Sequence, residues 1–126
     1  MKSLIVKASE HAEGYGLFTT VNVKKGDVIY IPHIIRIPKN IFVNLNIDRS
    51  SMKFILEKSW GDKDDVLTPV SIDQFVNHSN NPNCFNGTAL RDIKAGEEIL
   101  EDYRQFDKEL WFKELSIEYN AWTTPN

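Results

Sequence analysis

Residues 75–84 combine a short apolar start with a dense run of side-chain amides, in the order Phe-Val-Asn-His-Ser-Asn-Asn-Pro-Asn-Cys. Asn, Ser and Pro at this density are typical of a turn, because Asn and Ser side chains satisfy local backbone groups and Pro fixes φ. One interpretation is therefore a polar loop after a strand. The other is that Asn77 and His78 are held at the end of a buried strand, where their backbone and side-chain amides face a polar ligand.

Two glycines near the N-terminus, Gly14 and Gly16, flank Tyr15. Glycine permits a tight turn and allows the backbone to approach a ligand closely. The pair is a weak signal by itself, since most such pairs are turns. It also lacks the third glycine and the following helix of a dinucleotide-binding fingerprint.

Short strands are the main elements that must position these residues. β-branched and alternating patterns predict seven of them, at residues 4–7, 17–23, 28–31, 33–37, 66–76, 89–93 and 98–100. A Lys-Lys-Gly-Asp turn at 24–27 and a Lys-Ala-Gly-Glu turn at 94–97 each separate two strands. This construction predicts two similar hairpins.

Apolar residues at helical spacing predict two helices. The first covers residues 49–58, and the second follows Phe106 in the C-terminal segment. One apolar face of the second helix is predicted to consist of Leu110, Trp111, Leu115 and Tyr119. The acidic residues at 62–65 are predicted to form a solvated, charged turn.

Length and composition indicate one small globular domain. The chain has 126 residues, of which 41% are hydrophobic and 26% charged, as is usual for a soluble protein. The net charge of −3 excludes a general basic footprint for nucleic acid. A mildly acidic surface gives a weak preference for a basic peptide partner.

The cysteine count and the hydropathy pattern limit the cellular compartments in which the protein is expected. The single cysteine, Cys84, can neither close an internal disulfide nor build a multi-cysteine zinc site. No apolar run reaches membrane-spanning length, and the N-terminus lacks the apolar core of a signal peptide. We therefore expect no membrane partner and a cytoplasmic location.

Three segments in a fixed order resemble one protein family. They are Gly-Tyr-Gly-Leu-Phe at 14–18, the Asn-His-Ser and Pro-Asn segments within 75–84, and Arg-Asp-Ile-Lys-Ala-Gly-Glu-Glu-Ile at 91–99 followed by Glu-Asp-Tyr at 101–103. Together they resemble the SET-domain protein lysine methyltransferases over nearly the whole chain. The chain looks like the minimal viral and bacterial type, which lacks large flanking domains and a cysteine-rich tail after the SET domain.

The resemblance implies a mostly β fold of the SET-domain (β-clip) type. Such a fold has several small sheets and a chain threaded into a pseudoknot, which is rare among proteins, and here a C-terminal helix is added. The expected single domain spans residues 1–126, with a core at about 4–104 and a helical segment at about 105–122.

The resemblance also implies a cofactor, S-adenosylmethionine, and a reaction, methyl transfer to the side-chain amine of a protein lysine. Glu13, Gly14 and Tyr15 would contact the cofactor, largely through their backbone. Asn77 and His78 would hold its amino-acid and adenine portions. No metal is required.

Tyr103 is implied as the catalytic residue. Without the other two motifs it would be interpreted as a core or edge tyrosine after a strand. The attacking lysine amine must be neutral, although its unperturbed pKa is about 10.4. A narrow apolar channel and a cationic cofactor both disfavour the ammonium form, and the Tyr103 hydroxyl can orient the amine for in-line attack.

Three residues are predicted at the substrate channel, with less support. Tyr30 stands near the usual place of a Glu-aromatic pair, so either it supplies the aromatic in a shifted register or the aromatic is absent. Glu101 occupies a position where the family often has Phe or Tyr. Its carboxylate would stabilise the ammonium, so either it points outward or the channel is built differently. Trp111 either covers the site or packs its helix onto a sheet.

Two other functions stay open on the sequence. One is a catalytically silent SET-like module that binds a peptide or a partner, and the other is a small β-rich structural protein. For the enzyme we expect a protein substrate with a basic, lysine-containing segment and no nucleic acid. A homodimer that completes the peptide groove is a further expectation, as is a host-cell interior location if the protein is viral.

Overall fold

The computed structural model describes residues 3–124. Two compact units divide the chain, and each unit is discontinuous in sequence. The first contains residues up to 33 together with 70–102, and the second contains residues 34–69 together with those from 103 onward. The single domain predicted over 1–126 stays a prediction, and its residues 1, 2, 125 and 126 lie outside the described part.

Within residues 3–124 the regular structure consists of nine short strands, three α-helices and two 3₁₀ helices. The strands are β1 (Leu4–Ala8), β2 (Tyr15–Thr19), β3 (Ile34–Pro38), β4 (Trp60–Asp62), β5 (Asp65–Pro69), β6 (Asn77–His78), β7 (Cys84–Phe85), β8 (Thr88–Ala89) and β9 (Leu100–Glu101). The helices are α1 (Lys39–Phe42), α2 (Arg49–Lys58) and α3 (Leu110–Glu118).

Three two-stranded sheets form the first unit. Strands β1 and β2 pair antiparallel, and so do β7 and β8. Strand β6 pairs with β9 in parallel, with Asn77 opposite Leu100 and His78 opposite Glu101. A parallel pair requires a long crossover connection. This pairing sets the Asn-His segment beside Leu100 and Glu101.

The residues that flank one glycine turn pair with the residues that flank the other, so the two turns do not form separate hairpins. Val23 and Ile93 exchange two backbone hydrogen bonds of 2.8 Å each. The prediction of two hairpins, at 17–31 and 89–100, is therefore wrong. The physical reason lies in the turns, because each has glycine at its third position with φ near +90°. That is the type II pattern, which splays the strands it joins.

A local two-fold repeat relates these two turn segments. Gly26 donates its backbone N–H to Ala89 at 2.9 Å, and Gly96 donates to Thr19 at 2.7 Å. Each backbone hydrogen bond from the first turn segment to the second therefore corresponds to an equivalent bond from the second segment to the first.

Two side chains complete the repeat. Asp92 Oδ1 accepts from the backbone of Lys25, and Asn22 Oδ1 accepts from the backbone of Ala95, both at 2.9 Å. The core that these turns enclose consists of buried apolar residues, namely Leu17, Val23, Ile29, Tyr30, Val76, Cys84, Ala89, Ile93 and Ile99.

The second unit contains one antiparallel sheet with the strand order β3-β5-β4. The predicted charged turn at 62–65 is wrong in part, because Asp62 and Asp65 end β4 and begin β5. Only Lys63 and Asp64 lie between them, and Lys63 has φ +56°. Arg36 on the edge strand β3 donates to both aspartates at 2.8 Å, so part of the acidic cluster is neutralised.

The predicted helix at 49–58 is confirmed as α2. Asp48 caps its N-terminus and accepts from the backbone N–H of Ser51 at 3.1 Å, as N-cap residues do. Its buried face contains Met52 and Leu56. These two side chains belong to the core of the second unit, with Phe42, Val66, Phe112 and Ala121.

The predicted C-terminal helix is also present, as α3, and its predicted apolar face is confirmed for Trp111, Leu115 and Tyr119, which pack against the second core. Phe112 and Ser116 are buried, four residues apart, whereas Leu110 is 68% exposed. The apolar-face prediction for Leu110 is therefore wrong. The sequence offers apolar residues on more than one side of α3, and packing into the second core selects Phe112.

Residues 3–124 contain no helix that is long and apolar enough to span a bilayer. The same residues contain no group of three or more His, Cys, Asp or Glu side chains arranged to hold a metal ion.

Candidate functional site

Asn77 is a buried amide that joins two distant segments of the first unit. The residues before it form a 3₁₀ helix, Ile72–Phe75, so the strand predicted to run through Phe75 is wrong and β6 begins at Asn77 itself. The side chain is 5% exposed. Its Nδ2 donates to the backbone carbonyl of Tyr15 at 2.9 Å and to Glu98 Oε2 at 3.0 Å. The Asn-His segment and the glycine segment therefore meet, although 62 residues separate Asn77 from Tyr15.

Glu98 is the site residue that the sequence did not reveal. Its side chain has no exposed surface, and it accepts hydrogen bonds from Ser9 Oγ at 2.8 and 3.0 Å and from the backbone N–H of Glu10 at 2.9 Å. His11 Nδ1 lies 3.3 Å from the same carboxylate. Glu98 stands in the segment at 91–99 that contributes to the resemblance, but nothing in that segment indicates these partners.

Hydrogen bonding keeps the Glu98 carboxylate ionised. Burial by itself would raise its pKa, but hydrogen bonds from Asn77, the Glu10 backbone, Ser9 and His11 outweigh burial and hold the pKa below the ordinary carboxyl value. This is the expected result where several donors point at one charged form. The first unit thus contains a fixed buried anion beneath the glycine segment.

Hydrogen bonds of Ser9 hold the backbone of the loop at 9–14, and the residues at the end of this loop are exposed to solvent. Ser9 Oγ accepts from the backbone N–H groups of His11 and Ala12, each at 3.0 Å, and the Ser9 N–H donates to Gly14 at 2.9 Å. Gly14 has φ +84°, a conformation that favours glycine. Glu13 and Gly14 are exposed, and Tyr15 is 64% exposed.

Gly16 lies against the Glu98 carboxylate. A Cβ atom built on Gly16 would lie 2.3 Å from Glu98 Oε2 and 3.3 Å from Asn77 Nδ2. The close approach expected at this glycine is therefore made by a protein side chain. Gly14 is different, because a Cβ there would meet nothing within 4 Å.

His78 follows Asn77 on β6 and is mostly buried. Its Nε2 lies 2.9 Å from Asn80 Oδ1, and its Nδ1 lies 3.9 Å from Asp102 Oδ1. The imidazole side chain is 14% exposed, and the Asp102 side chain is 13% exposed. The structure therefore brings Glu13, Gly14, Tyr15, Asn77 and His78 together in one unit, and their cofactor roles stay predictions.

Glu101 points into the first unit. The Tyr30 hydroxyl donates to its Oε1 at 2.5 Å, and the Cys84 thiol donates to the same oxygen at 3.5 Å. Backbone N–H groups of Asn86 and Gly87 add further donors. Of the two alternatives left open for Glu101, the outward orientation is wrong, because the residue is 7% exposed and its carboxyl is held by Tyr30. That the channel is built differently stays a prediction.

Burial sets the protonation of this cluster. Burial raises the pKa of Glu101 despite its hydrogen bonds. Burial first, and then the nearby Glu101 charge, raise the pKa of Cys84 to about 12 and raise that of Tyr30 as well. Tyr30 is therefore a hydrogen-bond donor at neutral pH.

Tyr103 and Trp111 belong to the second unit. Tyr103 begins a 3₁₀ helix, Tyr103–Gln105, and its ring meets the edge of Trp122 with centroids 5.9 Å apart. Trp111 Nε1 donates to the Lys63 carbonyl at 2.7 Å, and Lys39 Nζ lies 4.6 Å from its ring centroid. These contacts of Trp111 are packing contacts within its own unit. The catalytic role of Tyr103 and the channel role of Trp111 stay predictions.

A polar cavity of about 400 Å³ opens in the first unit beside Glu98. Its lining consists of Glu10, His11, Ser79, Asn81, Asn83, Arg91, Gly96, Glu97, Glu98 and Leu100. None of the predicted cofactor residues is among them. The cavity is therefore lined by residues other than the predicted cofactor residues, although both sets of residues include neighbours of the Glu98 carboxylate.

The SET domain family matches residues 14–104 of this chain. That range includes both glycines, the Asn-His segment and Tyr103. The chain therefore belongs to the SET-domain family, whose methyltransferases use S-adenosylmethionine as the methyl donor. The fold that the resemblance implies is confirmed in its several small sheets and its C-terminal helix.

Solved structures with the same fold include a candidate histone methyltransferase of Plasmodium falciparum. It has a TM-score of 0.60 and 23% identity, and the match covers 88% of this chain and 98% of that one. A second is the Chaetomium thermophilum polycomb repressive complex 2 bound to an inhibitor, with a TM-score of 0.69, 19% identity and 93% of this chain covered. A third is ctPRC2 in an autoinhibited conformation bound to S-adenosylmethionine, with a TM-score of 0.67, 19% identity and 94% covered.

The matched Chaetomium chains are much longer, and this chain spans 17% of each of the two. At these identities the likeness to the solved structures shows the fold alone. A comparison with curated proteins gives no match.

Proposed function

We propose that this chain transfers a methyl group from S-adenosylmethionine to the side-chain amine of a lysine in a protein substrate. Family membership supplies the reaction class. The observation that carries the proposal is the hydrogen bond from Asn77 Nδ2 to the Tyr15 carbonyl, because it joins the two segments that the family uses for its cofactor.

The residues at this place fit the proposed cofactor. The backbone of 13–15 is exposed and can contact the cofactor, while Asn77 and His78, which form β6, would hold its amino-acid and adenine portions. The ionised Glu98 beneath them favours a cationic ligand electrostatically. When bound, S-adenosylmethionine supplies a methyl group activated by its sulfonium.

The protein's own task is then to align a neutral lysine amine. The Tyr103 hydroxyl would orient that amine, since methyl transfer depends on in-line placement and tolerates little displacement. The substrate would carry a basic, lysine-containing segment, because the net charge of −3 weakly favours a basic partner. A histone is one such protein, and the Plasmodium neighbour is described as a candidate histone methyltransferase. A homodimer and a cytoplasmic location remain further proposals.

Methyl transfer to a basic protein tests this proposal. The chain is incubated with methyl-tritiated S-adenosylmethionine and core histones, and the labelled residues are located by mass spectrometry. We expect labelled lysines with wild type and a loss of about 100-fold or more in rate with Tyr103→Phe. Tyr119→Phe is the matched control, since Tyr119 is a half-buried tyrosine of the same unit, and it should retain the rate.

One observation favours a second candidate, a catalytically silent module that binds a peptide. Glu101 stands where the family often has an aromatic residue, and its carboxyl is held by Tyr30. Wild type that binds S-adenosylmethionine but labels no lysine in histones or in total cell protein would contradict the enzyme and support this module.

A further inference from the structure

Glu98 and Gly16 are, we propose, a matched pair that positions the cofactor loop at 9–15. Glu98 is the positioning residue, and Gly16 is glycine because this carboxylate needs the space. The proposal rests on the proposed function for its effect on cofactor affinity. Its structural part concerns the loop alone.

The first step is that Glu98 holds three segments at once. Its two oxygens accept from Ser9 and Glu10 on the loop and from Asn77 on β6, all within 3.0 Å. Glu98 itself is joined to β2, because its bridge partner is Phe18. Removing this acceptor would leave the part-buried donors of Ser9 and Glu10 without it, which is costly.

The second step is that Ser9 passes the constraint to the loop backbone. Its hydroxyl donates to Glu98 and accepts from the N–H groups of His11 and Ala12. The Ser9 N–H donates to Gly14. The loop conformation up to Gly14 therefore depends on where the carboxylate lies.

The third step explains Gly16. Its φ lies outside the left-handed region, in contrast to Gly14, so the backbone does not require glycine there. The requirement is steric, since a Cβ would lie 2.3 Å from Oε2 and 2.8 Å from Cδ of Glu98. The second glycine of the Gly-x-Gly segment thus serves the carboxylate and does not need to meet the cofactor.

The fourth step is that the position requires an acceptor on both oxygens. The groups around it are a hydroxyl, a backbone N–H, a side-chain amide N–H₂ and the His11 ring nitrogen. Glutamine has the same shape but would present one N–H₂ group to these donors. Glu98→Gln is therefore a sharp test, because it changes the hydrogen bonding with little change in volume.

The first experiment compares Glu98→Gln with wild type, with Glu97→Gln as the matched control. Glu97 is the adjacent residue and forms a partly exposed pair with Arg91 at 3.3 Å. We expect Glu98→Gln to weaken S-adenosylmethionine binding by about tenfold or more and to raise hydrogen exchange at the amides of residues 10–12 without cofactor. Glu97→Gln should change neither. Equal affinity and equal exchange in all three proteins would overturn the proposal.

The second experiment tests the steric pairing by rescue. Gly16→Ala should weaken binding and loosen the same amides, because its methyl group displaces the carboxylate. Glu98→Asp shortens that side chain by one methylene, so the double variant should bind more tightly than the product of the two single effects predicts. Independent effects, or no effect of Gly16→Ala, would contradict the matched pair. Circular dichroism melts identify any variant that fails to fold.

The two proposals fail in different ways. Folded wild type that does not bind S-adenosylmethionine contradicts the proposed function, and the exchange data then still decide whether Glu98 positions the loop. Wild type that binds while Glu98→Gln binds equally well, with unchanged exchange, contradicts only the positioning role.

Discussion

At the scale of single residues, two buried glutamates of the first unit behave in opposite ways. Hydrogen-bond donors around Glu98 outweigh burial and lower its pKa, whereas burial prevails at Glu101 and raises its pKa. Both side chains are less than one-tenth exposed. The arrangement of donors, and not burial as such, therefore decides which of them is a firm anion.

Glu101→Gln should reduce the loss of stability that wild type shows as the pH rises. Below the ordinary carboxyl pKa, folded and unfolded chains both hold the proton and the contribution is fully present. Above it the unfolded chain releases the proton first, so stability falls until the pH passes the raised pKa of Glu101. Urea unfolding of wild type and variant across that range measures the difference.

Glu98→Gln should have the opposite effect on the pH dependence of stability, measured by the same urea unfolding. The lowered pKa of Glu98 contributes stability above the ordinary carboxyl pKa, and this is lost as the pH falls through the folded value. The two variants should therefore differ from wild type with opposite pH slopes. Slopes of the same sign would contradict the assignment of Glu98 as the anion and of Glu101 as the carboxyl whose protonated form is favoured.

At the scale of elements, the two glycine turns hold the first unit together. Gly96 has φ +92°, and a Cβ there would meet nothing within 4 Å. The penalty for alanine is therefore conformational, about 1–2 kcal/mol of unfolding free energy. Gly96→Asn should lose less, because asparagine adopts the left-handed region more readily. Urea midpoints compare the two variants, and equal losses for both would contradict this reason for the glycine.

Local patterns in the sequence predict some elements well. Helix α2 follows from apolar spacing at Met52 and Leu56, which places one face in the core. The same reasoning succeeds only in part at α3, where Trp111, Leu115 and Tyr119 pack against the core but Leu110 is exposed. It fails at the two glycine turns, because the partners of Val23 and Ile93 lie far away in the chain and no local pattern identifies them.

The site was partly predictable for the same reason. Asn77, His78 and the glycine segment stand out because their residue types are unusual together, and the resemblance gives them an order. Glu98 is one of two adjacent glutamates after a turn, and only the fold shows that Ser9 and Asn77 both bond to it. The sequence contains no period or motif that separates Glu98 from Glu97.

At the scale of the whole molecule, the predicted cofactor residues all belong to the first unit. Tyr103 and Trp111 belong to the second, and the last of the chain's three passages between the units follows Asp102. Cofactor binding and methyl transfer can therefore be tested separately. Variants at the predicted cofactor residues of the first unit should change affinity, and Tyr103→Phe should change turnover.

Calorimetric titration of S-adenosylmethionine into the full chain is the most direct test of the proposed function. We expect micromolar binding to wild type, weakened by about tenfold or more in Asn77→Ala, because the buried amide hydrogen bonds to Tyr15 and Glu98 are lost. Asn44→Ala, which changes an exposed asparagine of the second unit, should bind as wild type does. A folded wild-type chain that binds no S-adenosylmethionine would contradict the proposal that this SET domain is a methyltransferase.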